Sequence, residues 1–309
     1  MKGAVSVERL PADWMRGDYD IAVGAVGYES RSRHVFETLP VESRLKAAAA
    51  FDAQQVLAFD TNLCWYQENG FKVDVVSDLE YAEWFGRILS NGLSNDGLIR
   101  VIVDFSSLSR VRLARIVSVA RAMGINRMTI DFVYCLAQFT PPPTDQSANT
   151  HVGPVIDEFA GWWGEPDRSL SAIVGLGYEQ DKALGAVEYL EAQEVWIFQP
   201  TSVIEEYTIA LESANQTLLS MTNANHRFFY RVHDPLDCFS KMQSLARGLI
   251  LTSNVVLLPF GPKIIVLCAL LIAASDRRIS VWRVSAQETE EPVDRVGSDN
   301  FYGLRVCFA

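Results

Sequence analysis

Cysteine is scarce in this chain: five in 309 residues, at Cys64, Cys135, Cys238, Cys268 and Cys307. None forms a CxxC pair and no Cys/His cluster has zinc-ligand spacing, which excludes the common structural zinc sites. An odd number in apolar surroundings fits a reducing cytoplasm rather than a disulfide-stapled secreted domain. Long apolar runs are missing as well. The longest, 264–274, falls short of the about 20 residues that a bilayer-spanning helix needs. Pro259, Gly261, Pro262 and Lys263 precede it, so a buried helix after a turn is expected there, with no membrane association. Residues 1–9 lack the apolar core of a secretory leader, and a cytoplasmic protein is expected. Positive charge is in deficit, with 27 Lys and Arg against 38 Asp and Glu and a net charge of −11. Such a chain repels duplex nucleic acid unless its cations gather on one face, so no duplex partner is expected. A local positive pocket for a small anion remains compatible with that balance.

Apolar residues make up 49% of the chain, which excludes disorder, and the length suits two domains of about 150 residues each. After a short N-terminal extension (1–18), strands are expected at 19–27, 55–60, 71–76, 99–105 and 127–136. Helices are expected at 30–39, 78–89 and 108–123, the last capped by Ser106 or Ser107. Strands and helices alternating at this spacing imply parallel pairing with both sheet faces covered. The segment 140–147, with three consecutive prolines, breaks the pattern, and Trp162 and Trp163 are expected to dock the connector. The pattern then restarts. Strands are expected at 171–177, 195–198, 227–232, 255–259 and 279–284, with helices at 180–190, 235–251 and 264–274. A terminal strand at 302–308 is expected at an edge. Gly-Tyr-Glu stands after the first strand of each half, at 27–29 and 177–179, and this recurrence points to an internal repeat. The expected class is therefore α/β, with two Rossmann-like, doubly wound parallel-sheet lobes related by internal duplication. Lobe 1 covers 1–139, a Pro-rich connector 140–169, and lobe 2 170–309.

Ligands of open parallel sheets bind outside the carboxyl ends of the strands, near the switch in strand order. Two loops per half are then candidates. The loops after the first strands offer Gly27, Tyr28, Glu29 and Arg31 (with Arg33), and Gly177, Tyr178 and Glu179. Glycine lets backbone approach a ligand, arginine suits phosphate or carboxylate, and the tyrosines can stack on a base. Neither loop carries a dinucleotide fingerprint or a Walker A run. The loops after the fourth strands offer Ser106, Ser107 and Arg110, and Gly261 and Lys263, each entering a helix as an anion cradle would. A nucleotide-like or other anionic small molecule bound between the two lobes is the expected ligand. The alternative is a Mg²⁺-dependent hydrolase or transferase acting on a nucleotide, with Glu29, Asp60 and Asp104 at strand carboxyl ends as metal-binding carboxylates. Cys64-Trp65-Tyr66 is a candidate pocket lip. His34, His226 and His233 form no series with a serine and an acid, and no G-x-S-x-G elbow occurs. A scaffold without ligand also fits, because each loop feature can serve as a helix cap.

A buried strand, an aspartate, hydroxyl residues and then a cation entering a helix, as in 104–110, resembles the second ligand-binding motif of CRISPR-associated Rossmann-fold (CARF) sensor domains. Two such units in tandem are similar to the SAVED variant of that superfamily. The stretch 260–263 matches more faintly, and neither loop has the paired-glycine Thr-Gly-Gly-Thr-Lys-like run. The resemblance implies cyclic oligonucleotide binding at the carboxyl ends of the sheets, a role in prokaryotic antiviral defence, and signalling to a protein partner that carries the effector.

Overall fold

The computed structural model of the chain describes residues 5–93, 99–123, 128–141, 151–161, 167–285 and 292–308. They fall into two units, one made of residues up to 138 together with 292 onward, the other of 139–291. The first contains β1 (Val5–Arg9), β2 (Asp18–Val26), α1 (His34–Thr38), β3 (Glu42–Ala50), α2 (Phe59–Glu68), β4 (Lys72–Val75), α3 (Tyr81–Gly92), β5 (Ile99–Asp104), α4 (Arg110–Met123) and β6 (Met128–Ala137). The second contains β7 (His151–Pro154), β8 (Leu170–Gly175), α5 (Lys182–Tyr189), β9 (Glu194–Thr201), α6 (Glu205–Ala214), α7 (Gln216–Met221), β10 (Arg227–Arg231), α8 (Pro235–Leu249), β11 (Asn254–Pro259), α9 (Lys263–Ser275) and β12 (Ile279–Ser285). The chain then returns to the first unit as β13 (Gly297–Phe308).

The sheet orders are β1-β13-β6-β5-β2-β3-β4 and β10-β9-β8-β11-β12-β7. In each, the five parallel strands stand in the spatial order third, second, first, fourth, fifth. That is the doubly wound order, with its switch point between first and fourth strands. The two lobes are Rossmann-like and repeat one topology. Each also carries antiparallel strand beside its fifth, β13 on β6 and β7 on β12.

The central strands β2, β5, β8 and β11 are almost wholly buried, as continuous apolar runs between helix layers should be. The long apolar run forms α9, buried from Ile264 to Ala274. A helix that is apolar all round belongs in an interior, and α9 packs on α8, β11 and β12. No helix among the described residues is long and apolar enough to cross a membrane.

Four expectations are corrected. The strand expected at 55–60 does not form: 51–58 is a loop, and Asp60 lies in the first turn of α2. The second strand is β3 instead, ending in four alanines (Ala47–Ala50) that are fully buried between β2 and β4. Alanine is a poor strand former in isolation, but a crowded sheet centre selects small residues, and burial overrides propensity. The N-terminal extension contributes β1, which pairs with β13. The terminal strand is neither at an edge nor in lobe 2: β13 lies between β1 and β6, so residues 292–309 complete the first lobe. Part of the expected connector, β7, is an edge strand of the second sheet. The stretch 142–147 and Trp162 and Trp163 lie outside the described residues.

Candidate functional site

In the first lobe, β2 stops at Val26 and the chain turns through Gly27, Tyr28 and Glu29. All three of their carbonyls accept hydrogen bonds from the start of α2. Asn62 Nδ2 donates to Gly27 O (2.8 Å) and Glu29 O (2.9 Å), and Ala58 N donates to Tyr28 O (3.2 Å). Asn62 is fully buried, so a polar side chain is held in the interior by the turn that it fixes. Ser32 closes the turn from the other side, accepting from Gly27 N (3.2 Å) and donating to Ala25 O.

The Glu29 carboxylate links this turn to the loop after β5. It accepts from Arg31 Nε (2.7 Å) and from Ser107 Oγ (3.2 Å). Asp104, at the end of β5, accepts from Ser106 N (2.9 Å) and Ser106 Oγ (2.5 Å), while Ser106 Oγ accepts from Cys135 N (2.8 Å). Ser109 caps α4 by accepting from Arg112 N (3.0 Å). Beneath these loops lies Arg112, fully buried. Its guanidinium carbon is 3.5 Å from the centre of the Phe51 ring. It donates to Asp78 Oδ1 (2.7 Å), Ala49 O (3.3 Å) and Val76 O (2.5 Å). It thereby ties together the carboxyl ends of β3 and β4.

The second lobe repeats this plan with different atoms. Asn215, buried between α6 and α7, donates from Nδ2 to Gly177 O (2.7 Å). The loop after β11 folds onto the end of β8, with Phe260 N (2.8 Å) and Gly261 N (3.1 Å) both donating to Gly175 O. Glycine is required here by close approach. A Cβ on Gly177 would stand 2.7 Å from Phe260 O, and one on Gly261 2.6 Å from Leu176 O. At Gly27 the nearest atoms would be at 3.4 Å, on the Phe51 ring. Gly177→Ala is therefore expected to cost about 1–3 kcal/mol through displacement of the 259–261 backbone. Gly27→Ala is expected to be neutral or mildly stabilising. Thermal melts of the two variants check this, and equal losses would contradict it. Tyr178 lies beside Tyr207 (centroids 5.5 Å apart), which meets Phe139 edge-on at 5.1 Å.

The fold thus brings Gly27, Tyr28, Glu29 and Ser107 together at the β2/β5 switch point, and Arg110 opens α4. Gly177, Glu179 and Gly261 lie together at the β8/β11 switch point, Tyr178 stands within the same turn, and Lys263 opens α9. It does not bring Arg31 and Ser106 to the surface. Arg31 is 5% exposed, and its Nη1 donates to Tyr134 Oη (3.2 Å) and Cys135 O (3.1 Å). Burial alone would pull its pKa down, but the Glu29 carboxylate and the Tyr134 hydroxyl outweigh burial and hold it well above the ordinary arginine value. Both residues brace the loops from inside. Arg33 pairs with Glu37 (3.0 Å).

The carboxylates of the metal reading are not brought together. Asp60 is exposed on α2 rather than at a strand end. Among the described residues no three His, Cys, Asp or Glu side chains are grouped to hold a metal ion. The expected lip at 64–66 is part of α2. Tyr66 is buried there and donates to Ser32 O (2.7 Å), and its burial, then Asp104, pushes its pKa well above the ordinary value. Cys135, below Ser106, is pushed up to about 12 by burial and then by Asp104, which keeps it a thiol. His34 stacks on Phe301 (5.7 Å) and His226 on Trp196 (3.8 Å).

Sequence reasoning missed Asn215, Phe51, Asp78 and Arg112, and read Asn62 only as part of a polar set beside Asp60. One signal for the asparagines was present. They bond glycines 35 and 38 positions before them, so aligning the halves on Gly-Tyr-Glu brings them nearly into register.

Comparison with models of known protein families gives no match, and comparison with curated proteins gives none either.

Proposed function

We propose that the chain binds a small nucleotide-like anion at the switch-point crevices of its lobes and passes that signal to a protein partner. One observation carries this reading. In both lobes the loops after the first and fourth strands touch, and in both a buried asparagine from the crossover helix pins the first of them. Dissimilar atoms maintain the same loop arrangement in each lobe, at the place where doubly wound sheets take ligands. The half-buried side chains there divide the work. Tyr28 and Tyr178 offer ring faces. Ser107 and Arg110 in the first lobe, and Lys263 in the second, suit an anion at a helix start. Glu29 orients Ser107, and Glu179 is placed to accept from a sugar hydroxyl or base amine. The likeness of 104–110 to a CARF ligand motif points the same way.

The test is thermal stability of the intact chain with nucleotides, inorganic polyphosphates and cyclic oligonucleotides. A ligand at a hundred times its Kd adds about 2.7 kcal/mol to native-state stability. The shift should be lost in Arg110→Ala or Lys263→Ala and kept in Asp60→Ala, whose side chain is exposed on α2. No shift across the panel would refute the proposal, as would a shift that survives both Arg110→Ala and Lys263→Ala.

A further inference from the structure

The loop between β3 and α2 is built at a conformational cost that the interior does not repay. Gln54 (φ 55°) and Leu57 (φ 53°) both occupy the left-handed region, which non-glycine residues enter only under constraint. Leucine lacks the polar side chain that lets Asn or Asp settle there. Leu57 is 58% exposed and its neighbour Val56 47%, so neither side chain is drawn into the core. The loop is nevertheless firmly tied. Gln55 Nε2 donates to Phe51 O (2.9 Å), Val56 N to Gln54 O (2.9 Å), and Phe59 N to Val56 O (3.1 Å). Ala58 N reaches Tyr28 O, and Asn62, one turn on, holds the carbonyls on either side of Tyr28. Two aliphatic side chains are thus fixed in water on a segment joined directly to the candidate turn. The second lobe has a counterpart at the same topological position. Val203, between β9 and α6, is 58% exposed, and Tyr207, in the first turn of α6, meets Tyr178.

We infer that the 52–58 loop is the apolar jaw of the first-lobe crevice, with Val56 and Leu57 covering the apolar part of a ligand whose anionic end lies toward Ser107 and Arg110. This rests on the function proposed above and narrows the ligand class. The occupant is an anion that carries a flat or apolar group, not a bare phosphate chain. Strained backbone at a ligand clamp is a recurrent device, because the strain holds contacts in place before the ligand arrives.

Two probes test it on the full chain: anilinonaphthalene sulfonate, an apolar ring system bearing one anion, read by fluorescence titration, and tripolyphosphate, read by thermal shift. The variant Val56→Ser/Leu57→Gly removes the apolar contact and relieves the left-handed strain. Its Tm should equal or exceed the wild-type value, which verifies folding. Naphthalene-probe affinity should fall at least about tenfold in this variant and also in Arg110→Ala, while the tripolyphosphate shift of the double variant stays unchanged. Equal naphthalene-probe affinity in wild type and double variant, with tripolyphosphate still binding, overturns the jaw and leaves the anion site standing. If neither probe binds the wild-type chain, the site itself is refuted and the jaw with it.

Discussion

Replacing Asp131 by alanine is expected to destabilise the first lobe by about 3–5 kcal/mol, the usual cost of removing one partner from a buried ion pair. Asp131 is fully buried on β6. It accepts from Arg305 Nε and Nη2, both at 2.7 Å, and from the Tyr19 hydroxyl at 2.7 Å. Arg305 is its direct cross-strand partner on β13. The substitution would leave a half-buried guanidinium without its bidentate partner, at the seam where β13 joins the sheet. Asp131 holds the charge of Arg305 in place. The arginine's pKa is raised, first by its hydrogen bond to Asp131. Urea unfolding checks this. A loss below about 1 kcal/mol would mean that backbone pairing alone secures β13.

Arg112→Met should cost a similar amount, about 3–5 kcal/mol, and should also abolish the ligand-induced thermal shift. Methionine keeps much of the volume over Phe51 but removes the guanidinium donor to Ala49 O, Val76 O and Asp78 Oδ1. The Phe51 ring borders Gly27, so the floor of the first-lobe crevice loosens with it. Folding and binding are separable here. A variant that loses stability and yet binds the same nucleotide as tightly as wild type would show that Arg112 serves the fold alone.

Most of the architecture was legible because short runs of β-branched and aliphatic residues bounded by turn residues read as strands buried on both faces, and the longer run at 264–274 as a buried helix. The sequences of β2, β5, β8 and β11 declare themselves in this way. What escaped depended on neighbours. The four alanines of β3 carry little intrinsic preference, and the apolar residues at 56–57 imitate a strand while standing in water. The place of β13 follows from Asp131 and from register with β6, which no local pattern contains. The candidate site shows the same division. The Gly-Tyr-Glu turns and the loops at 104–110 and 259–263 were visible through composition and spacing. Charge alone suggested that Arg31 faces a ligand, whereas the fold turns it inward onto Glu29, Tyr134 and Cys135. Asn62, Asn215 and Arg112 act on backbone carbonyls distant in sequence, and carbonyls leave no trace in residue identity.

The most direct measurement is hydrogen–deuterium exchange on the full chain, with and without the nucleotide that gives the largest thermal shift. Ligand binding at the switch points predicts protection concentrated at 27–32 and 105–112, and at 177–182 and 259–265. Protection confined to segments away from those strand ends, or spread evenly over the chain, would contradict it.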